Sequence, residues 1–279
     1  METVQTIQES DIMFLHDVHV ACSEQYSDYN VHIFLLQGDM SFNINGKEYH
    51  ATQNDGVILV KTKMVKDMQV SDDFSAIIML LSNHYLETNT PIISMQVKVL
   101  TYYYQCPMLT MDDREKLCFR ADMDNILYRL EQKQHIFYMK TLKGAINNFM
   151  FDLINIYSRC HSKMVVQSRQ AAKLTYKFID LLQQHVASNR KVEFYADKLC
   201  ISPKYLSRVC LEATGQNPSY WISRFLLVRI SEELTDSDKS ITDISNEYNF
   251  KALSHFTRYI KSNTGMTPTE FWNRNGISS

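Results

Sequence analysis

The feature that most constrains this chain is a phrase written twice near its carboxyl end. The segment "LSRVCLEATGQNP", which begins at Leu206, returns fifty residues later as "FTRYIKSNTGMTP", which begins at Phe256. Gly215 and Pro218 recur as glycine and proline at that shift, and upstream the similarity continues from Ala196 at a shift of 49. A period near 50 indicates a duplicated structural unit, and two copies are too few for a solenoid.

The first copy, "VEFYADKLCISPKYLSRVCLEATG", predicts two short helices separated by a tight turn. The first helix covers 192–199, and the second runs to about residue 213. Ser202 can cap the second helix, and Pro203 suits its first position, where no backbone N–H is needed. Gly215 can end that helix because glycine adopts positive φ without strain. This order of elements predicts a helix-turn-helix.

A helix-turn-helix needs a small residue where the two helices cross, a turn residue that tolerates an unusual φ, and an apolar residue that locks the pair. These places are held by Ala196, Cys200 and Leu206 in the first copy and by Ser245, Asn249 and Phe256 in the second. Asparagine visits the left-handed region more readily than other non-glycine residues. A long amphipathic helix over 218–234 is predicted to join the copies.

On these motifs, residues 190–273 resemble the DNA-binding domain of AraC/XylS-type transcription regulators, including the Gly-x-x-Pro phrase after each unit. Family members commonly place Ala and Gly where Ser245 and Asn249 stand, and often Arg and Ala where Leu226 and Ile230 stand. The resemblance implies double-stranded DNA as the partner. It also implies two recognition helices in successive major grooves, roughly 34 Å apart.

The residues predicted to contact DNA lie opposite the buried face of each recognition helix. They are Lys204, Tyr205, Ser207 and Arg208 in the first unit, and Lys251, Ser254, His255, Thr257, Arg258 and Lys261 in the second. Arginine can bond guanine O6 and N7 bidentately, while Ser and Thr read bases or phosphate. For any single residue the alternative is solvent exposure or a phosphate contact, and Tyr205 could equally pack within its own domain.

The first hundred residues predict short strands. Asn45-Gly46 lies between alternating runs, which is a strong hairpin signal, and Asp55-Gly56 predicts a turn before the strand "VILV". "VHIFLLQG" and "FSAIIMLLS" are apolar runs of strand length. Together they favour a β-sandwich or barrel. By pattern and position this part resembles the cupin-like sensor domain of the same family.

Two long helices are predicted after Pro107. Thr110 is a candidate cap for the first, and Leu117 is placed on its apolar face. The second shows apolar residues at three- and four-residue steps from Ile136 to Ile156. The pattern fits a packing layer that also forms a dimer interface, and it fits a purely intradomain core equally well.

The predicted fold class is therefore α+β with two domains: a cupin-like β-barrel or sandwich followed by two helices, and then an all-α double helix-turn-helix domain. The predicted boundaries are 1–108 for the sensor domain, 109–160 for the connecting and dimerisation helices, 161–172 for the linker, and 173–279 for the DNA-binding domain.

Composition and charge agree with a two-domain cytoplasmic protein. Hydrophobic residues make up 45% of the 279-residue chain, no apolar run reaches the roughly 18 residues of a membrane span, and the polar start "METVQTIQESD" predicts no secretory signal. The six cysteines form no Cys-x-x-Cys pair. Residues 170–279 carry 14 Lys and Arg against 11 Asp and Glu, whereas 1–169 carry 15 against 20. That asymmetry favours a DNA-facing second half.

Other function classes fit less well. An enzymatic cupin needs a His-x-His metal set, and only His32, Glu48 and His50 are available, so no metal, cofactor or enzymatic activity is predicted. A DNA-repair alkyl acceptor with the same domain needs a cysteine-rich zinc module. The alternative that stays open is a small-molecule-binding or enzymatic cupin-like protein with an accessory helical domain. The predicted partners, besides DNA, are a second copy of the chain, a small-molecule effector and RNA polymerase.

Overall fold

The computed structural model describes residues 11–44, 46–60, 62–89, 99, 102–103, 106–164, 170–236 and 239–275. The chain forms two compact units that divide between residues 167 and 168. The predicted linker at 161–172 includes residues 165–169, which lie outside the described residues. One helix ends at Met164 and the next begins at Gln170. The domain boundaries drawn from the sequence stay predictions.

The first unit is built on two antiparallel sheets, as the predicted β-sandwich requires. Its strands are β1 (Ile12–Leu15), β2 (Tyr29–Gln37), β3 (Asp39–Ile44), β4 (Lys47–Thr52), β5 (Gly56–Leu59), β6 (Val65–Val70) and β7 (Ser75–Ser82). The four-stranded sheet has the order β1-β7-β2-β5 and the three-stranded sheet the order β4-β3-β6. Short helical segments are α1 (Val18–Ala21), the 3₁₀ turns Glu24–Tyr26 and Thr62–Met64, and α2 (Asn83–Asn89).

The four-stranded sheet is buried on both faces, which explains why its strands are continuous apolar runs. Along β2, Val31, Ile33 and Leu35 face the three-stranded sheet and pack in the core between the sheets. The alternate residue Phe34 belongs to a second core, which includes residues of two long helices. Since successive strand side chains point to opposite faces, a strand covered on both sides needs apolar residues at nearly every position.

The two predicted turns form by different means. The hairpin joins β3 to β4, and the backbone N–H of Gly46 donates to Asn43 Oδ1 at 2.9 Å; Asn45 lies outside the described residues. In the second turn the positive φ falls on Asn54, at 67°, and not on Gly56. A Cβ at Gly56 would lie 2.7 Å from Leu109 Cδ1, so the end of the Leu109 side chain would have to shift.

Two long helices, α3 (Asp113–Glu131) and α4 (Tyr138–Met164), cover the second core. The predicted cap at Thr110 is wrong: Asp112 caps α3 in a reciprocal capping box with Glu115. Two residues predicted on apolar faces are also exposed, Leu117 at 70% and Ile136 at 87%. The buried face of α3 carries Phe119, Met123 and Ile126, and Leu117 lies outside it.

The second unit is helical throughout its described residues. Its helices are α5 (Gln170–His185), α6 (Val192–Lys198), α7 (Pro203–Thr214), α8 (Pro218–Asp236), α9 (Ile241–Glu247), α10 (Leu253–Thr264) and α11 (Pro268–Asn275). Helix α8 is the predicted linking helix, and it contacts helices that precede it and helices that follow it. No helix within the described residues combines the length and apolar character that crossing a membrane requires.

Candidate nucleic-acid interface

The first helix-turn-helix consists of α6, a turn at 199–202, and α7. Ala196 is fully buried at the crossing, and its carbonyl accepts a hydrogen bond from the Ile201 N–H at 3.0 Å. Cys200 makes the turn with a φ of 55°. Ser202 caps α7 by accepting from the Tyr205 N–H at 3.2 Å, and Pro203 occupies the first helical position. The predicted roles of these residues are confirmed.

The second helix-turn-helix, formed by α9 and α10, repeats this geometry. The Ser245 carbonyl accepts from the Phe250 N–H, again at 3.0 Å, and Asn249 has a φ of 52°. The two turns differ at the start of the recognition helix. Ala252 precedes α10 and has no side chain that can cap it, whereas Ser202 caps α7.

Both recognition helices end in the same way. Gly215 and Gly265 have φ values of 73° and 76°, in the left-handed region where only glycine is unstrained. Thr214 and Thr264 donate to carbonyls one turn back, both at 2.8 Å. The repeated Thr-Gly therefore builds a helix end, which explains part of the phrase that the sequence writes twice.

Helix α8 is bonded to both helices of the second helix-turn-helix, α9 and α10. The Tyr259 hydroxyl of α10 donates to the Ser223 carbonyl of α8 at 2.8 Å. Near the other end of α8, Lys239 Nζ lies 2.9 Å from Glu233 and 2.6 Å from Glu247 of α9. These two glutamates raise the pKa of Lys239. The linking helix is therefore bonded to α10 directly and to α9 through Lys239.

The ten residues predicted to contact DNA are all on or beside the recognition helices. Lys204, Arg208, Lys251, Ser254, His255, Arg258 and Lys261 are exposed, and Tyr205, Ser207 and Thr257 are half-buried. The Arg208 guanidinium stacks over the Tyr205 ring, with Cζ 4.8 Å from the ring centroid. This stacking gives the half-buried Tyr205 a role in orienting Arg208.

Each recognition helix brings four equivalent positions onto one exposed stripe. In α7 the stripe is Lys204, Ser207, Arg208 and Leu211, and in α10 it is Ser254, Thr257, Arg258 and Lys261. These positions follow the i, i+3, i+4, i+7 spacing of one helix face. Lys251 and His255 lie beside the second stripe.

Two apolar residues on these helices were not among the predicted contacts. Leu211 is 56% exposed on the first stripe, and Leu253 is 44% exposed at the first position of α10. Exposed leucine on a recognition helix can contact the methyl group of thymine. The repeat carried the signal, since the fifty-residue shift pairs Leu211 with the predicted contact Lys261.

Titratable groups inside the second unit are structural. Burial raises the pKa of the Cys210 thiol to about 12 and that of the Tyr195 hydroxyl to about 12. The Tyr195 hydroxyl donates to the Asn189 carbonyl at 2.7 Å. Across the part of the chain that the structure describes, no group of three His, Cys, Asp or Glu side chains could hold a metal ion.

Two helix-turn-helix units on one linking helix, each with an exposed polar and cationic stripe, define a DNA-binding domain of the double helix-turn-helix class.

Comparison with known proteins agrees with this class. The family described as "Helix-turn-helix domain" matches residues 195–274. The HTH-type transcriptional activator RhaS of Yersinia pestis is 26% identical over 122 residues, which is 44% of each chain. RhaS of Escherichia fergusonii is 27% identical over 145 residues, 52% of this chain and 51% of that protein. The chain thus matches about half the length of these relatives.

Among solved structures, the chain is similar to an AraC-type regulator from Chromobacterium violaceum, with 22% identity and a TM-score of 0.35 over 38% of this chain and 95% of that one. It is also similar to ToxT from Vibrio cholerae O395, with 12% identity and a TM-score of 0.36 over 96% and 94%. TM-scores this low carry no argument about how this chain is built.

Residues 195–274 thus match a helix-turn-helix domain, and the chain is similar to RhaS activators, in agreement with the resemblance to AraC/XylS-type regulators. The curated relatives named above are transcriptional activators.

Proposed function

We propose that the whole chain is a cytoplasmic transcription regulator that binds two adjacent major-groove segments of one DNA site, one with α7 and one with α10. The observation that carries the proposal is the equivalence of the two units. On each recognition helix the same three positions are exposed and the same fourth is half-buried, and the two turns have matching hydrogen bonds and matching positive φ. A protein-interaction module has no need for paired recognition helices with outward arginines.

The side chains suggest distinct roles in binding. Arg208 and Arg258 are placed to bond guanine bidentately, because each lies in the middle of its exposed stripe. Lys204, Lys251 and Lys261 suit phosphate contacts, which add affinity without reading sequence. The remaining predicted contacts, Tyr205, Ser207, Ser254, His255 and Thr257, suit base edges or phosphate.

The first unit offers a surface for a second copy of the chain. Most of its exposed large apolar side chains lie in α3, α4 and the turn between them: Leu117, Leu127, Tyr128, Ile136, Phe137 and Phe151. Contact between two copies there would remove this apolar surface from water, which favours association. We propose that dimerisation joins two DNA-binding domains, and that an effector at the first unit, or RNA polymerase, acts on the assembled dimer.

The test begins with selection of duplexes from genome fragments by the purified chain. We expect a site with two blocks about one helical turn apart. Loss of a bidentate guanine contact costs about 1–3 kcal/mol, so Arg208→Ala should weaken binding at one block, and Arg258→Ala at the other, by about 10- to 100-fold. Arg120→Ala removes an exposed arginine from α3 of the first unit and should leave affinity unchanged.

Binding without sequence preference that is insensitive to both substitutions would contradict the proposal. The enzymatic alternative makes a separate prediction: turnover of a small molecule that survives deletion of residues 170–279.

A further inference from the structure

The loop before the first helix-turn-helix touches the turn of the second, in a contact that bypasses the linking helix. Arg190 lies in the loop between α5 and α6, just before the first helix-turn-helix. Phe250 lies in the turn of the second helix-turn-helix, between α9 and α10. The Arg190 guanidinium stacks over the Phe250 ring, with Cζ 4.0 Å from the ring centroid. A planar guanidinium over an aromatic face is an attractive cation–π arrangement.

Phe250 reports the position of the second recognition helix. Its ring centroid is 5.1 Å from that of Phe256 and 5.5 Å from that of Tyr259, both in α10. Phe256 is fully buried in the core of the second unit. Any rotation of α10 relative to the first helix-turn-helix must therefore move the Phe250 ring over which Arg190 lies.

The surroundings make stacking the main contact of this guanidinium. Arg190 is half-buried, and its Nη2 has no hydrogen-bond partner among the described residues. Burial lowers the pKa of Arg190, and the electrostatic interaction with Tyr259 opposes this shift. Burial also raises the pKa of Tyr259 to about 12, so the tyrosine keeps its proton and donates to Ser223 of α8. Lysine cannot replace this contact fully, because it lacks the planar group that stacks.

We infer that Arg190 is a positioning residue for DNA recognition: its stacking on Phe250 fixes the angle between the two recognition helices and so selects the spacing between the two DNA blocks. The inference rests on the proposed function. One inserted base pair turns the second block by about 35° and moves it about 3.4 Å. A domain with a fixed helix angle must reject such a change, whereas a loosened domain tolerates it.

The experiment measures affinity by fluorescence anisotropy for the selected duplex and for duplexes with one base pair inserted or removed between the blocks. The full-length chain is compared with Arg190→Ala. We expect Arg190→Ala to bind the selected spacing more weakly and to lose about tenfold of the preference for it over the altered spacings. Lys191→Ala is the matched control, because it removes an exposed cation from the neighbouring position. It should leave the spacing preference unchanged.

A general loss of stability would weaken binding at every spacing equally and would leave the ratio of affinities intact, which would overturn the inference. If Arg190→Ala does not fold, as judged by circular dichroism, Phe250→Leu carries the same test and should show the same loss of preference. If both fold, the double variant should lose no more preference than either single one. A wild-type chain that prefers no duplex overturns the proposed function itself. A wild-type chain with a spacing preference that Arg190→Ala retains overturns only the role of Arg190.

Discussion

The buried histidine of the first unit makes the stability of that unit depend on pH. His32 lies on β2, beneath α4, and is 3% exposed. Its ring packs edge-on against Phe149, with centroids 5.3 Å apart. Neither ring nitrogen has a hydrogen-bond partner among the described residues. Burial therefore lowers the pKa of His32 from its ordinary 6.5 to about 3.

The size and direction of the effect follow from linkage. The unfolded chain takes up a proton at His32 below pH 6.5, while the folded chain stays neutral there until about pH 3. The unfolded state therefore binds more protons in this window, and stability falls as pH falls. Between pH 7.5 and pH 5.0 this one group should cost the folded first unit ~2 kcal/mol. Above about pH 7.5 the contribution of His32 to the pH dependence is small.

The assay compares the wild-type chain with His32→Leu in urea at pH 7.5 and pH 5.0. Hydrogen exchange of the β2 peptide must follow the unfolding, because Trp221 and Trp272 are both in the second unit and their fluorescence reports only on that unit. The other histidines are common to both proteins, so the difference between the two pH dependences isolates His32. The variant should lose ~2 kcal/mol less than wild type on acidification.

A control and a clear contradiction are available. His50→Gln changes an exposed histidine of β4 and should retain the wild-type pH dependence. If wild type and His32→Leu lose equal stability between the two pH values, the imidazole is solvated or partnered in the folded chain, and the reasoning from burial is refuted.

Four further changes test the helix ends, the first turn and the missed contacts. Asp112→Ala removes the α3 cap and should cost the first unit ~1 kcal/mol in urea unfolding. Ala252→Ser supplies a capping hydroxyl before α10 and should slow hydrogen exchange of that helix, with a gain of ~1 kcal/mol. Cys200→Val puts a branched side chain at a φ of 55° and should lower the free energy of tryptophan-monitored unfolding by ~1–2 kcal/mol, while Cys200→Gly should not. Leu253→Ala should weaken selection for thymine at one position of the second DNA block, seen by repeating the duplex selection, and leave the first block unchanged.

The repeat made the second unit predictable. Gly215 was predicted to end a helix because glycine adopts positive φ, and the repeat pairs it with Gly265, which ends a helix in the same way. Cys200 and Asn249 were identified as turn residues by position alone, although neither is glycine, and both adopt positive φ. Comparing a chain with itself separates residues that the fold requires from residues that merely occur once.

The first unit has no such internal reference, and its errors follow from that. Leu117 and Ile136 look like core residues in a periodic pattern, yet both are exposed. Apolar periodicity locates the buried face of a helix. When many apolar residues are present, two faces that differ by one position along the sequence fit the pattern equally well. The sheet order β1-β7-β2-β5 pairs the first strand with the last, a long-range choice that no local pattern encodes.

The two copies of the helix-turn-helix have diverged in how each recognition helix is held. Helix α7 begins with a capping serine and a proline, so local interactions fix its first turn. Helix α10 begins after Ala252 without a side-chain cap, so its first turn gains about 1 kcal/mol less from local bonds. The contacts of Phe250 with Phe256 and with the Arg190 guanidinium lie close to the start of α10, where that support is missing. Helix α10 is thus positioned by packing against the rest of the DNA-binding domain. Its orientation depends on the first helix-turn-helix more than the orientation of α7 depends on the second.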